Sequence, residues 1–172
     1  MSKRAQPYLK KPFESDGRSS DVSANIYFSM LTSPAWLDLT SNQKNLYLIC
    51  KMQLYAEKHK PDGDRSLFTL NQAKWAFTVD KNTGERTGVY QLYNKSNAAS
   101  FYADMQSLIR HGFVRVKEHG GNGHFKTIYQ FSDKWQRYGK PDFNIPLSDM
   151  LLTKQVRQEM ERKGKEGDMV NL

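Results

Sequence analysis

A helix that passes straight into a β-hairpin is the feature of this sequence that most constrains its fold. Between residues 96 and 111, apolar side chains recur at three- and four-residue steps, which is typical of a helix with one packed face. We expect Ser96 to cap the start of that helix and Gly112 to follow its end, since serine and glycine favour those two places. The apolar set of the helix consists of Phe101, Tyr102, Met105, Leu108 and Ile109.

The residues directly after Gly112 alternate between apolar and polar side chains, as those of a half-buried strand do. One alternating run covers 113–117 and another covers 125–131, and a glycine-rich turn at 120–123 separates them. Two such runs around a short glycine-containing turn predict a β-hairpin. The cationic and histidine side chains expected on this hairpin are Arg115, Lys117, His119, His124 and Lys126.

The first half of the chain carries a second strong helix prediction, over about 41–58, again from apolar residues at helical spacing. Thr40 and Gln43 stand three residues apart at its start, which is the spacing of a capping box. The other elements predicted for this region are an apolar strand over 26–31 and a short helix over 34–38 with Ser33 as its N-cap and Pro34 at its first position.

Short elements are expected between the two long helices. Residues 66–70 have the composition of a strand, and Asn71 is placed to cap a helix over 72–77. The stretch 78–95 is polar and contains two glycines, so it predicts a loop or hairpin, with 89–93 as a candidate strand.

By composition the chain divides into an arm at 1–24, a domain at 25–140 and a C-terminal part at 141–172. The arm lacks periodicity and is either an inert tail or a basic segment that touches phosphates. In the C-terminal part we expect Ser148 to cap a helix over 149–163. Its apolar ridge either packs on its own domain or contacts a partner or a second copy. That ridge consists of Leu152, Val156 and Met160.

The chain has a net charge of +8 and a pI near 9.5. More than half of the excess lies in 95–140, where eight basic and three acidic residues give +5. Such a surface favours polyanions, with nucleic acid as the first candidate and anionic membrane as the second. No apolar run approaches the roughly 18–20 residues of a membrane span, and no apolar stretch follows the basic start as in a secretory signal. We therefore expect a soluble, cytoplasmic protein.

The order of elements, a strand, three helices and a hairpin, is the layout of a winged helix-turn-helix. We therefore predict an α+β fold, mainly α, with a two-stranded wing and an extra C-terminal helix. In such a fold the last helix of the trio enters the major groove and the wing lies on the backbone or in the minor groove. The predicted DNA-binding residues are Lys95, Ser96, Asn97, Ser100, Arg110, Arg115, Lys117, His124 and Lys126.

The predicted reading face of the 96–111 helix carries Asp104 and Ser107 as well as several of these residues. The presence of an acidic side chain on a face predicted to contact DNA has to be explained. Asp104 either marks the rim of the interface, accepts a hydrogen bond from a cytosine amino group, or shows that the true face is rotated.

Two segments carry a family resemblance. The segment SPAWLDLTSNQKNLYLICKMQLY resembles the opening of winged-helix proteins carried by phages and mobile elements of Gram-positive bacteria. The segment ASFYADMQSLIRHGFVRVKEHGGNGHFKTIYQFSDKWQRYG resembles their recognition helix, wing and closing strand, so the resemblance covers roughly 27–140. More distantly, the chain is similar to the N-terminal domain of plasmid replication initiators of the RepA type.

The resemblance implies a recognition helix with Asn97, Ser100 and Arg110 on or near it, and a wing that carries Lys117 and Lys126. It also implies a role in replication initiation, transcriptional control or transfer of a mobile element. The chain departs from the family pattern in 78–95, because the turn of a helix-turn-helix has only about three or four residues.

No catalytic or metal-binding motif stands out. A zinc site at His119 and His124 would need two more ligands, and the single cysteine, Cys50, lies on the apolar face of the 41–58 helix. The glycine-rich turn lacks the Lys-Ser/Thr of a phosphate-binding loop. We expect no enzyme, cofactor or metal. Most aromatic residues are spaced for a core, and the residues weighed for stacking on single-stranded bases are Tyr90, Tyr93, Tyr102 and Tyr138.

The sequence thus predicts sequence-specific binding of double-stranded DNA, in replication initiation or transcriptional control of a phage or mobile element, by a protein that in this class often forms dimers. The alternative is an interaction protein that uses the winged-helix shape to bind or inhibit a host protein or nucleoprotein complex. RNA binding is favoured if surface tyrosines are exposed beside the basic strip.

Overall fold

A computed structural model describes residues 23–56, 66–88, 91–96, 98–120 and 126–169, and these form an α+β fold. The predicted arm at 1–24 lies outside the described residues apart from its last two. The helices are α1 Phe28–Leu31, α2 Pro34–Asp38, α3 Ser41–Ala56, α4 Gln72–Trp75, α5 Ala98–Arg110 and α6 Lys154–Met169. The strands are β1 Leu67–Thr69, β2 Ala76–Val79, β3 Arg86–Thr87, β4 Tyr93–Asn94, β5 Val114–Glu118 and β6 Ile128–Phe131. Within the described residues, 3₁₀ turns cover Lys134–Arg137 and Leu147–Asp149.

The larger sheet is antiparallel and has the strand order β1-β6-β5. The pairing of β5 with β6 confirms the predicted hairpin, with Val114 opposite Phe131 and Val116 opposite Tyr129. The first strand, β1, joins the free edge of β6 with Phe68 opposite Tyr129. The larger sheet therefore combines one strand that precedes α5 in the sequence, β1, with two strands that follow α5, β5 and β6.

The core lies between this sheet and the two long helices, α3 and α5. Of the apolar positions predicted for α5, Phe101, Met105, Leu108 and Ile109 are buried, whereas Tyr102 is 49% exposed. In α3, Leu46, Tyr47, Ile49 and Cys50 are buried, as the periodicity predicted. Aromatic rings fill the centre: Phe113 packs against Trp36, Tyr47 and Trp135 at centroid distances of 5.2–6.0 Å. Phe68 stacks on Phe131 at 4.6 Å.

The junction between α5 and β5 depends on Gly112, as predicted. Its φ of +81° lies in the left-handed region that favours glycine. The amide of Phe113 donates to the Leu108 carbonyl at 3.1 Å, and the Gly112 amide donates to Ile109 at 2.9 Å, which is a Schellman end. The Gly112 carbonyl accepts from the Trp135 amide at 3.1 Å, so the same turn also holds the segment after β6.

The helix starts predicted from local capping signals are confirmed for α2 and α3. The Ser33 Oγ accepts from the Trp36 amide at 3.2 Å. Thr40 and Gln43 form the predicted capping box, in which each backbone amide donates to the other side chain, at 2.9 and 3.3 Å. These contacts satisfy amides that have no partner inside the helix.

The long connection at 78–95 contains a small second sheet of order β3-β2-β4. The predicted helix over 72–77 ends at Trp75, because Ala76 and Phe77 pair in parallel with β4. The β2–β3 turn is organised by Asp80, whose Oδ1 accepts from the Asn82 and Thr83 amides. The candidate strand at 89–93 lies partly outside the described residues, and the observed strand is Tyr93–Asn94.

The predicted strand over 26–31 is wrong, since Phe28–Leu31 is a helical turn. The Tyr27 carbonyl accepts from the amides of Met30 and Leu31 at 3.0 and 3.1 Å. Met30 is the one buried residue of α1, whereas Tyr27 and Phe28 are largely exposed. An apolar run with a single buried residue suits one turn of helix rather than a strand in a sheet.

The predicted start of the last helix at Ser148 is also wrong. Leu147–Asp149 is a 3₁₀ turn, and α6 begins at Lys154 with Thr153 as its cap. The Thr153 Oγ1 accepts from the Val156 amide at 3.3 Å. Before α6, the buried Leu151 donates its amide to Gln106 Oε1 of α5 at 3.0 Å, which ties this segment to α5.

Candidate nucleic-acid interface

One face of α5 is open to solvent and carries small side chains. Ala99, Ser100, Ala103 and Arg110 are exposed, and Ser107 is half-buried beside them. Ser100 and Arg110 are thus exposed on the helix predicted to meet DNA. The two alanines that complete this face were not among the predicted residues, because alanine carries no functional group that sequence reasoning could single out.

Asp104 does not belong to the open face, because it is half-buried and accepts hydrogen bonds from two neighbouring elements. Its Oδ1 accepts from Gln43 Nε2 at 3.0 Å and its Oδ2 accepts from the Tyr93 hydroxyl at 2.7 Å. Burial raises the pKa of Tyr93, and the hydrogen bond to the carboxylate raises that pKa further. Asp104 therefore ties α5 to α3 and β4.

Three of the predicted contacts, Lys95, Ser96 and Asn97, precede α5. Ser96 is not the N-cap residue, because the helix begins two positions later and the Ser96 Oγ donates to Asn94 Oδ1 at 2.7 Å. Asn97, which lies between Ser96 and the first residue of α5, falls outside the described residues. Lys95 is exposed, and its backbone amide donates to the Phe77 carbonyl at 2.8 Å. This hydrogen bond to β2 of the small sheet thereby fixes the backbone of Lys95 shortly before the start of α5.

The hairpin presents Lys117 on β5 and Lys126 just before β6, both exposed. Arg115 is half-buried and its Nε donates to Gln130 Oε1 at 2.7 Å. Gln130 in turn donates to Ser66 Oγ at 2.8 Å. Arg115 is thus held across the sheet by the neutral amide of Gln130. His124 lies outside the described residues.

A polar cluster at the C-terminal end of α5 joins three segments that are far apart in the sequence. Asp38 Oδ2 accepts from the Tyr138 hydroxyl at 2.5 Å and lies 3.0 Å from His111 Nε2. The other ring nitrogen of His111 lies 2.7 Å from the Ser107 carbonyl, and the His111 and Tyr138 rings stack at 4.7 Å. Both ring nitrogens of His111 therefore lie within hydrogen-bonding distance of an oxygen atom.

The hydrogen bond from Tyr138, followed by the contact with His111, lowers the pKa of Asp38. The cluster fixes the 3₁₀ turn after β6 against the end of α5, directly beside Arg110. No sequence signal pointed to it, since its members share neither a motif nor a short spacing.

The predicted ridge on the last helix does not form one exposed surface. Val156 is 2% exposed and packs within its own chain, whereas Leu152 is 37% exposed and precedes α6. Met160 is half-buried. Of the two roles considered for the ridge, packing on its own domain therefore holds for Val156.

A group of large apolar side chains is instead exposed near the start of the described chain. Tyr27 and Phe28 are 71% and 79% exposed, and Leu31 and Leu37 lie nearby on the contacting helices α1 and α2. The first three of these lie in the predicted apolar strand over 26–31, a prediction that gave no indication of their exposure.

Other chemistry is sparse in the part of the chain that the structure describes. That part holds no group of three or more His, Cys, Asp or Glu side chains able to bind a metal ion. Cys50 is fully buried, as predicted, and burial raises the pKa of its thiol. Among the same residues, no helix has the length and apolar character needed to cross a membrane.

Comparison with known proteins finds no matching family model, no similar curated protein and no similar solved structure. The geometry of α5, the hairpin and the small sheet between α4 and α5 therefore has to support any functional inference.

Proposed function

We propose that this chain is a winged helix-turn-helix protein that binds double-stranded DNA in a sequence-specific manner. In this proposal α5 is the recognition helix and the β5–β6 hairpin is the wing. The chain order α3, β1, α4, α5, β5, β6 supports it, as does a three-stranded sheet in which β1 flanks the hairpin. The small sheet replaces the short turn that normally joins the two helices of this motif.

The observation that carries the proposal is the open face of α5. Small side chains at Ala99, Ser100 and Ala103 let a helix approach base edges closely, and Arg110 supplies the donor fork that suits guanine. Lys117 and Lys126 supply exposed charge on the adjacent hairpin, where a wing would meet phosphates.

The biological role that best fits is replication initiation or transcriptional control of a phage or mobile element. This part of the proposal depends on the resemblance of the two quoted segments to winged-helix proteins of such elements. A DNA ligand implies action in the cytoplasm of a bacterial host. Binding as a homodimer would match a palindromic site, with half-sites one helical turn apart.

Selection from a random duplex library tests the proposal. The full chain is incubated with the library at two salt concentrations, and the bound pool is sequenced. An enriched motif that persists at the higher salt is the expected result, and the spacing of a repeated motif would report a dimer. A pool without a motif that dissociates at higher salt would contradict sequence-specific binding.

A second candidate function is binding of a host protein, and the exposed group Tyr27, Phe28, Leu31 and Leu37 favours it. Exposed apolar side chains that cluster are typical of protein contacts. Under this alternative, DNA binding is weak and indifferent to sequence, so the same selection experiment separates the two functions.

A further inference from the structure

We infer that a furrow beside α5 binds single-stranded DNA, with Tyr102 as the stacking platform. The furrow consists of three adjoining clefts of about 360, 400 and 360 Å³. Gln72 lines both the first and the second cleft, and Tyr102, Gly120 and Thr127 line both the second and the third. The three clefts therefore adjoin one another at these shared residues.

The charge of the furrow suits a phosphate backbone. Lys95 lines the first cleft, Lys126 the second, and His119 and Arg157 the third. None of the described residues that line the three clefts is acidic. Each cleft therefore has a side chain that can neutralise a phosphate, which is the pattern of a groove that follows a strand.

Tyr102 supplies the aromatic surface that such grooves use. Its ring meets the Phe101 ring edge-on at a centroid distance of 5.1 Å, and 49% of the residue remains exposed. The other tyrosines weighed for stacking differ: Tyr93 is buried against Asp104, and Tyr138 already stacks on His111. Tyr90 lies outside the described residues.

The size of the clefts favours an unpaired strand over a duplex. Clefts of this volume match small ligands, and so accommodate single nucleotides rather than the width of a double helix. The choice of DNA rather than RNA rests on the proposed function, because a strand that leaves a duplex bound on α5 would lie next to the furrow at Lys95.

Fluorescence anisotropy of the full chain with a labelled oligothymidine of about 12 nucleotides, a length within the range of single-strand sites, is the first test. Loss of one stacked base predicts that Tyr102→Ala weakens binding by roughly 5- to 150-fold. Tyr102→Phe should retain affinity because the ring is kept. Tyr27→Ala removes a more exposed tyrosine outside the furrow and should change nothing.

The cations give a second readout, the dependence of affinity on salt. Lys126→Gln and Arg157→Gln should each reduce the slope of log affinity against log salt by about 0.7 for a single strand. Lys154→Gln is the matched control, because this exposed lysine lies on α6 outside the lining of the three clefts.

A cross-linking measurement on the unaltered chain guards against a misfolded variant. An oligothymidine that carries iodinated deoxyuridine is irradiated with the protein, and the attached peptide is identified. Attachment within the peptide that contains Tyr102 supports the inference. Attachment only outside the furrow, equal losses in Tyr102→Ala and Tyr27→Ala, or tighter binding of oligouridine than of oligothymidine would each overturn it.

Failure of this inference is distinguishable from failure of the proposed function. An enriched motif in the duplex selection, together with unchanged single-strand binding by Tyr102→Ala, would reject single-stranded DNA binding in the furrow and support sequence-specific duplex binding. Absence of a motif, together with the expected loss of single-strand affinity in Tyr102→Ala, would reject sequence-specific duplex binding and support single-stranded DNA binding in the furrow.

Discussion

Replacing Gly112 by alanine tests how the hairpin is held against α5. At the φ of +81° an alanine is strained, and its Cβ would lie 2.6 Å from the Trp135 amide nitrogen and 2.7 Å from the Lys134 carbonyl carbon. Backbone atoms cannot rotate away, so the 3₁₀ turn after β6 has to move. The move breaks the 3.1 Å hydrogen bond from Trp135 to Gly112.

The loss of stability expected for Gly112→Ala has two parts. The left-handed conformation costs an alanine about 1–2 kcal/mol. Loss of the hydrogen bond and displacement of the turn add roughly 1–2 kcal/mol. We therefore expect the free energy of unfolding to fall by roughly 2–4 kcal/mol in total. For a chain of this size that corresponds to a decrease in Tm of roughly 4–16 °C.

Gly84 provides the matched control. It also has a left-handed φ, of +70°, but a Cβ built there meets nothing within 4 Å. Gly84→Ala should therefore cost only the conformational part, about 1–2 kcal/mol. Urea denaturation followed by circular dichroism measures both variants. Equal destabilisation by the two substitutions would refute the reasoning, because it would show that the 3₁₀ turn after β6 moves aside without a measurable cost in free energy.

Three further predictions concern the interface and its supports. Lys117→Ala should weaken binding to all duplexes about equally, whereas Arg110→Ala should reduce discrimination between sequences by roughly 1–3 kcal/mol, as measured by anisotropy on matched and mismatched duplexes. Asp104→Ala leaves the buried Tyr93 hydroxyl without its acceptor, so the free energy of unfolding should fall by about 1–3 kcal/mol in urea titrations. The pKa of Asp38 is lowered in the folded state, so its contribution to stability is present above its unfolded pKa and is lost as the pH falls through the folded value. Asp38→Asn should flatten the dependence of stability on pH below about pH 5, and an unchanged slope would contradict the stabilising role of the cluster.

The elements that the sequence predicted are those with local signals. The periodicity of α3 and α5, the caps at Ser33 and Thr40, and Gly112 each involve residues within a few positions of one another. The hairpin followed from alternation around one short turn. Such signals act within a turn or two of chain, so a single sequence is enough to show them.

The features that the sequence missed depend on contacts between distant segments. Ser148 and Thr153 are both residue types that favour helix caps, and the segment between them is held by a hydrogen bond from Leu151 to Gln106, 45 positions apart. Asp104 was assigned to the wrong face because its partner Gln43 lies 61 positions away. Local patterns contain no information about which distant donor a carboxylate will meet.

The parallel pairing of β2 with β4 has a consequence for how this chain tolerates change in length. Trp75 and Phe101 stack at 4.0 Å, and Lys95 donates its amide to Phe77, so α4 and α5 are joined without help from the residues between the two strands. The exposed turn at 81–83 can therefore lengthen at small entropic cost while α5 keeps its orientation. It is a natural place to graft a tag or a second binding module onto this protein.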